Sequence, residues 1–117
     1  MTLDDVLDDL RRFVAERDWA KFHDPKNLAM AVASEAGELA ALLRWVANAD
    51  ADAYVARPDV RAKLAAEVAD VAISLLLLAD RAGIDLLAAM KQKLAVNARN
   101  YPADVVRGSA ERPPRAD

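Results

Sequence analysis

The sequence predicts an all-α fold, and three observations support this. Alanine occurs 27 times in 117 residues, whereas the chain has only 3 glycines and 5 prolines. Alanine and leucine favour helices because they lose little side-chain freedom there. Apolar residues recur at helical spacing, and no segment shows the alternation of β-branched residues that is typical of strands. A chain of this length is expected to form one compact domain.

The first helix is predicted from Leu3 to about Arg17. Thr2 and Asp5 have the spacing of a capping box, with aspartate in place of the usual glutamate. One apolar stripe follows the helical spacing through Leu3, Val6, Leu7, Leu10, Phe13 and Val14. The stripe predicts that one face of this helix packs against the core.

The second helix is predicted to begin at Asp24-Pro25. Aspartate is a good N-cap, and proline fits the first helical position because its missing N–H is not needed there. We expect this helix to end at Val46 or Ala47. Residues 48–57 are small and acidic, which predicts a connector.

The third and fourth helices are predicted at Pro58–Arg81 and Leu86–Asn100. Gly83 lies between them, where a glycine commonly follows the last helical turn. The fold class is therefore a four-helix bundle. The domain is expected to span residues 1–102, followed by a flexible charged tail over residues 103–117.

The third helix is apolar on nearly every face between residues 68 and 79. Such a helix must be covered all round. Three other helices in one small domain can hardly cover it, so burial against a second chain is the simpler solution. The sequence therefore predicts an obligate homo-oligomer.

Composition and charge exclude several classes of protein. With 16 Lys+Arg against 19 Asp+Glu, the net charge is −3, which disfavours binding to a nucleic-acid polymer. The absence of cysteine excludes disulfides, thiolate zinc sites and cysteine nucleophiles. The acidic start has no apolar segment of a secretory signal, and the most apolar run, residues 71–79, is too short for a membrane span. We expect a cytoplasmic protein that does not bind membranes.

Four carboxylates interrupt the apolar stripes of the second and third helices. Glu35 and Glu38 are three residues apart, and Glu67 and Asp70 repeat this spacing, so each pair shares one helix face. Each ionised carboxylate that is buried without a partner destabilises the folded protein by several kcal/mol. Mg²⁺ or Mn²⁺ would compensate, because hard cations prefer carboxylate oxygens.

The four acids also allow alternatives to a Mg²⁺ or Mn²⁺ site. The acids could be solvated, or they could pair with basic residues of another helix, as is usual for a single such pair. Two pairs on two helices that are predicted to pack antiparallel favour the metal. Carboxylate-bridged iron is disfavoured because such sites use Glu-x-x-His motifs, and the only histidine, His23, lies outside both pairs.

The chain resembles the MazG-like all-α nucleoside triphosphate pyrophosphohydrolases, and within them the dCTP pyrophosphatase branch. The resemblance covers about residues 4–102. Five stretches carry it, namely Glu16–Leu28, Glu35–Leu39, Trp45, Glu67–Val71 and Lys93-x-x-x-Asn97-x-x-x-Tyr101-Pro102. E-x-x-E alone is weak evidence, whereas five stretches in order at compatible separations are strong evidence.

The resemblance implies a bundle that assembles as a dimer or as a tetramer of two dimers. It also implies hydrolysis of the α–β phosphoanhydride of a nucleoside triphosphate, giving a nucleoside monophosphate and pyrophosphate. By the same resemblance, Glu35, Glu38, Glu67 and Asp70 hold Mg²⁺. Glu38 is the candidate to accept the proton of the attacking water, although spacing does not separate a ligand from a base.

The resemblance further assigns substrate contacts. Lys93 and Asn97, four residues apart on one helix face, match the phosphate-contacting pattern of the family, and Arg99 and Tyr101 add contacts near the end of that helix. The candidate base-pocket residues are Trp19, Phe22, His23, Trp45 and Ser74. Aromatic faces can stack on a nucleobase. Without the resemblance, Trp19 would be interpreted as a core residue and Lys93 as a solvated one.

The chain departs from the dCTP-specific pattern at the expected base pocket. Leu10 and Ser74 stand where that branch carries a histidine and a tyrosine, and Ala95 replaces an acid near the Lys-x-x-x-Asn motif. The leading hypothesis is a house-cleaning enzyme for dCTP-like or modified pyrimidine deoxynucleotides. The alternatives are a pyrophosphohydrolase of broad specificity and a non-catalytic helical oligomer that binds nucleotides or a partner.

Overall fold

The computed structural model describes residues 1–111, which form helices joined by short segments. The helices are α1 (Leu3–Glu16), α2 (Pro25–Leu43), α3 (Ala51–Ala56), α4 (Pro58–Ala82), α5 (Leu86–Asn100) and α6 (Ala103–Val106), with single 3₁₀ turns at Ala20–Phe22 and Asn48–Asp50. No strand occurs among the described residues, so the predicted all-α fold is confirmed. The four predicted helices correspond to α1, α2, α4 and α5.

The chain divides into two compact units. The first unit is Met1–Gly83 and contains α1 to α4. The second unit begins at Ile84 and contains α5 and α6. The predicted division at residue 102 stays a prediction, as does the flexible tail. The structure forms a helical turn at Ala103–Val106 within that tail, and residues 112–117 lie outside the described part.

Local capping chemistry sets the helix starts as predicted. The Thr2 hydroxyl accepts from the Asp5 N–H at 3.1 Å, and the Asp5 carboxylate accepts from the Thr2 N–H at 2.7 Å, which completes the capping box. Asp24 accepts from the Asn27 N–H at 3.0 Å at the start of α2. Gly83 follows α4 with a φ of 70°, a left-handed conformation that glycine adopts at little cost.

Two predictions about the middle of the chain were wrong. Helix α2 ends at Leu43 and not at Val46 or Ala47, because the Val46 N–H bonds back to the Leu43 carbonyl at 3.0 Å and closes a tight turn. The predicted connector, residues 48–57, contains the short helix α3. Its alanines favour helix, and it stops at Arg57, which is extended (ψ 131°) because a proline follows.

Helices α2 and α4 form the main packing interface of the first unit and run antiparallel. Leu28, near the start of α2, lines the same recess as Leu77 and Arg81, near the end of α4. Further along α2, Glu38 lies near Glu67, in the first half of α4. Residues later in α2 therefore lie beside residues earlier in α4, which confirms the predicted antiparallel arrangement. The spaced carboxylates of the two helices face each other as a result.

The core of the first unit is small. The buried apolar residues among those described are Val14, Leu28, Val60, Leu76 and Ala79, from α1, α2 and α4. Other apolar side chains of α4 stay accessible in a single chain, with exposed fractions of 50 % for Val68, 38 % for Ile73 and 39 % for Leu75. The helix that is apolar all round is therefore only partly covered by its own unit.

An ion pair ties α1 to α4. The Arg11 guanidinium donates from Nη2 to Asp80 Oδ1 at 2.6 Å and from Nε to Asp80 Oδ2 at 3.1 Å, and it also donates to Asp8 at 3.2 Å. The hydrogen bond from Arg11 lowers the pKa of Asp80. The two-point geometry fixes both side chains more firmly than a single contact would.

We expect Asp80→Asn to lower the thermal midpoint by roughly 2–5 °C at neutral pH, since it removes one partly exposed charge pair. Because the pKa of Asp80 is lower in the folded state, the pair stabilises the fold above the ordinary aspartate pKa and loses that effect as the pH falls through the lowered one. Thermal scans from pH 7 to pH 2 check this. If the thermal midpoints of the wild type and Asp80→Asn differ by the same amount at pH 2 and at pH 7, this expectation is wrong.

The second unit is built on α5. The Asp85 carboxylate accepts from the Ala88 N–H at 3.0 Å and caps the helix, as its sequence position indicates. The Tyr101 N–H bonds to the Asn97 carbonyl at 2.8 Å at the other end. Three apolar residues of one α5 face, Leu87, Met90 and Leu94, are largely exposed.

Among the described residues, none of the helices combines the length and apolar character that crossing a bilayer requires. The cytoplasmic location stays a prediction.

Candidate active site

Three of the four predicted acids converge between α2 and α4. Glu35 and Glu38 project from one face of α2 because they are three residues apart, and Glu67 faces them from α4. A carboxylate oxygen of each residue lies within 4.8 Å of an oxygen of the other two. We call these three residues the acidic cluster. Such a spacing suits one divalent cation bound by several carboxylates.

The acidic cluster has no internal compensation for its charge. Glu35 Oε2 and Glu67 Oε2 are buried and have no hydrogen-bond partner in the described part of the chain. Burial raises the pKa of Glu35, and the charges of Glu38 and Asp70 raise it further. Buried oxygens without donors are costly, so the residues present fit a bound cation.

Asp70 lies at the edge of this arrangement. It is not one of the three clustered acids, and it is exposed, yet its charge acts on Glu35. Asp70 also lines a cleft of about 490 Å³ between α1 and α4. It therefore links the acidic cluster to a neighbouring cleft, whose volume is within the usual range for small-molecule sites.

The cleft has mostly apolar and aromatic walls. It is lined by Val6, Asp9, Leu10, Phe13 and Val14 of α1, by Trp19 and His23, and by Asp70, Ile73 and Leu77 of α4. The rings of Phe13 and Trp19 meet edge to face, with centroids 5.7 Å apart. Two of the predicted base-pocket residues, Trp19 and His23, thus line the same cleft as Leu10, where the chain departs from the dCTP-specific pattern.

The segment between α1 and α2 holds Trp19 and His23 in place. The Trp19 N–H bonds to the Val14 carbonyl at 3.1 Å, and Asp18 before it adopts a φ of 54°, which aspartate tolerates better than most residues. Arg81 of α4 donates to the Ala20 carbonyl at 3.3 Å. These bonds anchor the segment to both helices that form the cleft.

Three other predicted base-pocket residues do not line this cleft. Phe22 and Trp45 are 57 % and 86 % exposed, and each lies near a basic neighbour on its own segment, Lys21 and Arg44 respectively. Ser74 is partly buried on α4 and is absent from the cleft wall. Their roles at the base stay predictions.

The predicted phosphate contacts lie in the second unit. Lys93, Asn97 and Tyr101 line one recess of about 460 Å³, together with Asn100, Val106 and Ser109 to Glu111. The i, i+4 spacing of Lys93 and Asn97 accounts for their shared face. Arg99 does not line this recess. Phosphate binding by these four residues stays a prediction.

Sequence reasoning missed Asp9 and Phe13 as cleft residues. The apolar stripe of α1 was interpreted as a core face, yet only Val14 of that stripe is buried among the described residues. A core wall and a cleft wall have the same helical periodicity. One sequence signal could have identified these cleft residues. The resemblance placed Leu10 at the expected base pocket, and Leu10 lies on this face of α1.

Comparison with known proteins gives a consistent result. The chain is 43 % identical over 109 residues to dCTP pyrophosphatase 1 of Rattus norvegicus and 41 % identical over 111 residues to that of Homo sapiens. These matches cover 90 % and 92 % of this chain but 64 % and 65 % of the relatives. The chain thus spans slightly less than two thirds of their length. No protein-family profile matches it.

One solved structure is matched over most of its length. The crystal structure of a pyrophosphatase from Archaeoglobus fulgidus DSM 4304 matches with a TM-score of 0.79 and 38 % identity, over 86 % of this chain and 92 % of that one. The chain belongs to the MazG-like family of pyrophosphatases. In this MazG-like chain, the residues that carried the resemblance include the whole acidic cluster and three residues of the cleft, Trp19, His23 and Asp70.

Proposed function

We propose that this MazG-like chain is a Mg²⁺-dependent nucleoside triphosphate pyrophosphohydrolase. It cleaves the α–β phosphoanhydride of dCTP-like or modified pyrimidine deoxynucleotides and releases a nucleoside monophosphate and pyrophosphate. The observation that carries the proposal is the acidic cluster, with two partnerless buried oxygens, next to a cleft of about 490 Å³ with aromatic walls. The names of the relatives, dCTP pyrophosphatase 1, support the same substrate.

Glu35, Glu38 and Glu67 would hold the cation, with Asp70 as a fourth ligand. When bound, Mg²⁺ would neutralise the phosphates and polarise the phosphoryl group, and Mn²⁺ would serve as a second choice. Carboxylate oxygens without donors are a ligand set that such hard cations prefer.

The chain's own residues would perform the remaining tasks. Glu38 is more exposed than Glu35 and Glu67, so it is placed to accept the proton of the attacking water. Trp19 offers an aromatic face to the base, and His23 a polar contact. Lys93 and Asn97 remain the predicted phosphate contacts.

Pyrophosphate release across a panel of canonical and 5-modified dNTPs tests the proposal. We expect release with Mg²⁺ and none after the metal is removed with EDTA, with the highest kcat/KM for cytosine nucleotides. Equal kcat/KM for all nucleotides would favour the enzyme of broad specificity. Tight nucleotide binding with no release of pyrophosphate would favour the non-catalytic oligomer.

A homo-oligomer, either a dimer or a tetramer of two dimers, is part of the same proposal. The half-exposed apolar side chains Val68, Ile73 and Leu75 of α4 support it, since a helix of this composition needs cover on all sides. We expect light scattering at micromolar concentration to give a mass at least twice the 12.7 kDa of one chain. A stable folded species of 12.7 kDa would contradict the oligomer without affecting the assignment of the cleft.

A further inference from the structure

We propose that Asp9 determines which base the cleft accepts, by accepting a hydrogen bond from the exocyclic amine of an amino-pyrimidine such as cytosine. The inference rests on the proposed function, since it assumes that the cleft holds the base of a nucleotide. It identifies a specificity-determining residue on α1, a helix that contributes nothing to the acidic cluster.

The polar side chains of the cleft are few. Asp9, His23 and Asp70 carry polar or charged groups, Trp19 adds the donor N–H of its indole, and the rest of the wall is apolar or aromatic. Asp70 follows Glu67 by three residues on α4, so it belongs to the end of the cleft at the acidic cluster. Asp9, His23 and the Trp19 indole N–H are therefore the groups that can read the polar edge of a base, and among them Asp9, when ionised, is the one that only accepts hydrogen bonds.

Asp9 lies close to the aromatic wall. It precedes Phe13 by four residues on α1, so the two side chains share a helix face, and the Phe13 ring meets Trp19. A base that stacks on either of these rings would lie in the cleft whose wall includes Asp9. The carboxylate is thus a lining group within the space that the base would occupy.

The chemistry of the carboxylate selects a donor. An ionised carboxylate only accepts hydrogen bonds. Cytosine carries an amine at C4, which donates, whereas uracil and thymine carry a carbonyl there, which only accepts. Cytosine would pair with Asp9, and the uracil carbonyl would be repelled. The same side chain therefore attracts one pyrimidine and disfavours the other.

Asp9 is free to rearrange for a ligand. Its contact within the chain is an ion pair with Arg12 at 3.6 Å, in which both side chains are largely exposed. Exposed pairs of this kind hold a side chain weakly. Arg12 does not line the cleft, so it does not compete for the site of the base.

The test compares dCTP with dUTP, which differ at the C4 substituent and the N3 proton. We expect the wild type to prefer dCTP in kcat/KM and Asp9→Asn to reduce that preference roughly tenfold, because an amide donates to the uracil carbonyl. Asp4→Asn is the matched control. It makes the same chemical change on α1, outside the cleft, and should leave the preference unchanged.

The outcomes separate this inference from the proposed function. If pyrophosphate is released but Asp9→Asn keeps the wild-type preference, the role of Asp9 is overturned and the enzyme assignment stands. If the wild type releases no pyrophosphate from any nucleotide, the proposed function fails. Binding of dCMP and dUMP, followed by tryptophan fluorescence, then decides. A dCMP preference that Asp9→Asn removes supports the inference, and equal binding of both by the wild type overturns it.

Discussion

Replacing Glu35 by glutamine should reduce turnover at least about 100-fold, since even outer-shell changes at metal sites cost 10- to 100-fold. The amide oxygen is neutral, so it is a weaker ligand for a hard cation than the carboxylate. Steady-state pyrophosphate release at saturating Mg²⁺ measures the effect. Glu16→Gln, an exposed glutamate of α1, is the matched control and should keep wild-type activity.

The same variant should fold at least as stably as the wild type when no metal is present. Burial and neighbouring acids raise the pKa of Glu35 above its ordinary 4.5, so the folded state binds its proton more tightly than the unfolded state does. The metal-free wild type should therefore lose stability as the pH rises from 4.5 through the raised pKa. Glu35→Gln should reduce this dependence. Urea denaturation in EDTA from pH 4 to pH 8 checks both points.

Two results would contradict this account of Glu35. A variant with near wild-type turnover would mean that Glu35 holds no cation that the reaction needs. A variant that is much less stable than the wild type without metal would mean that Glu35 forms a stabilising interaction in the fold. In the structure, Glu35 Oε2 has no hydrogen-bond partner among the described residues.

The second large effect is expected at Trp19. If the base stacks on its ring, Trp19→Ala should raise KM by about 5- to 150-fold, because stacking contributes roughly 1–3 kcal/mol per base. The acidic cluster remains intact, so kcat should fall less than KM rises. Trp19→Phe keeps an aromatic face and should recover most of the loss. Michaelis–Menten kinetics with dCTP compare the three proteins.

The Trp19 variants also address stability. Trp19 meets Phe13 edge to face and is 44 % exposed, so its removal costs some packing. Circular dichroism at the assay temperature confirms that each variant is folded. A folded Trp19→Ala with unchanged KM would place the base elsewhere and would make Trp19 a packing residue.

The sequence predicted the fold best where the determinants are local. The capping box at Thr2 and the cap at Asp24 act within three residues, and both are present. The end of α2 was missed because Arg44 to Val46 could extend a helix as readily as they form a turn. The helix α3 was missed because its small and acidic residues were interpreted as a connector. The choice there depends on weak propensities and on packing, which periodicity does not report.

The candidate site was predicted in its chemistry and only partly in its geometry. Spacing put Glu35 and Glu38 on one face, and antiparallel packing brought Glu67 to them. Asp70 repeats the same spacing but faces the cleft, because the rotation of α4 about its axis depends on packing with α1 and α2. Asp9 was not noticed because a charged residue beside an apolar stripe is typical of a solvated helix face.

³¹P NMR of dCTP hydrolysis shows directly whether cleavage falls between the α and β phosphorus atoms. Wild-type protein with Mg²⁺ should convert dCTP to dCMP and pyrophosphate as the first products. Glu35→Gln under the same conditions should leave dCTP intact over the same period. First products of dCDP and orthophosphate, or conversion by Glu35→Gln at the wild-type rate, would contradict the account.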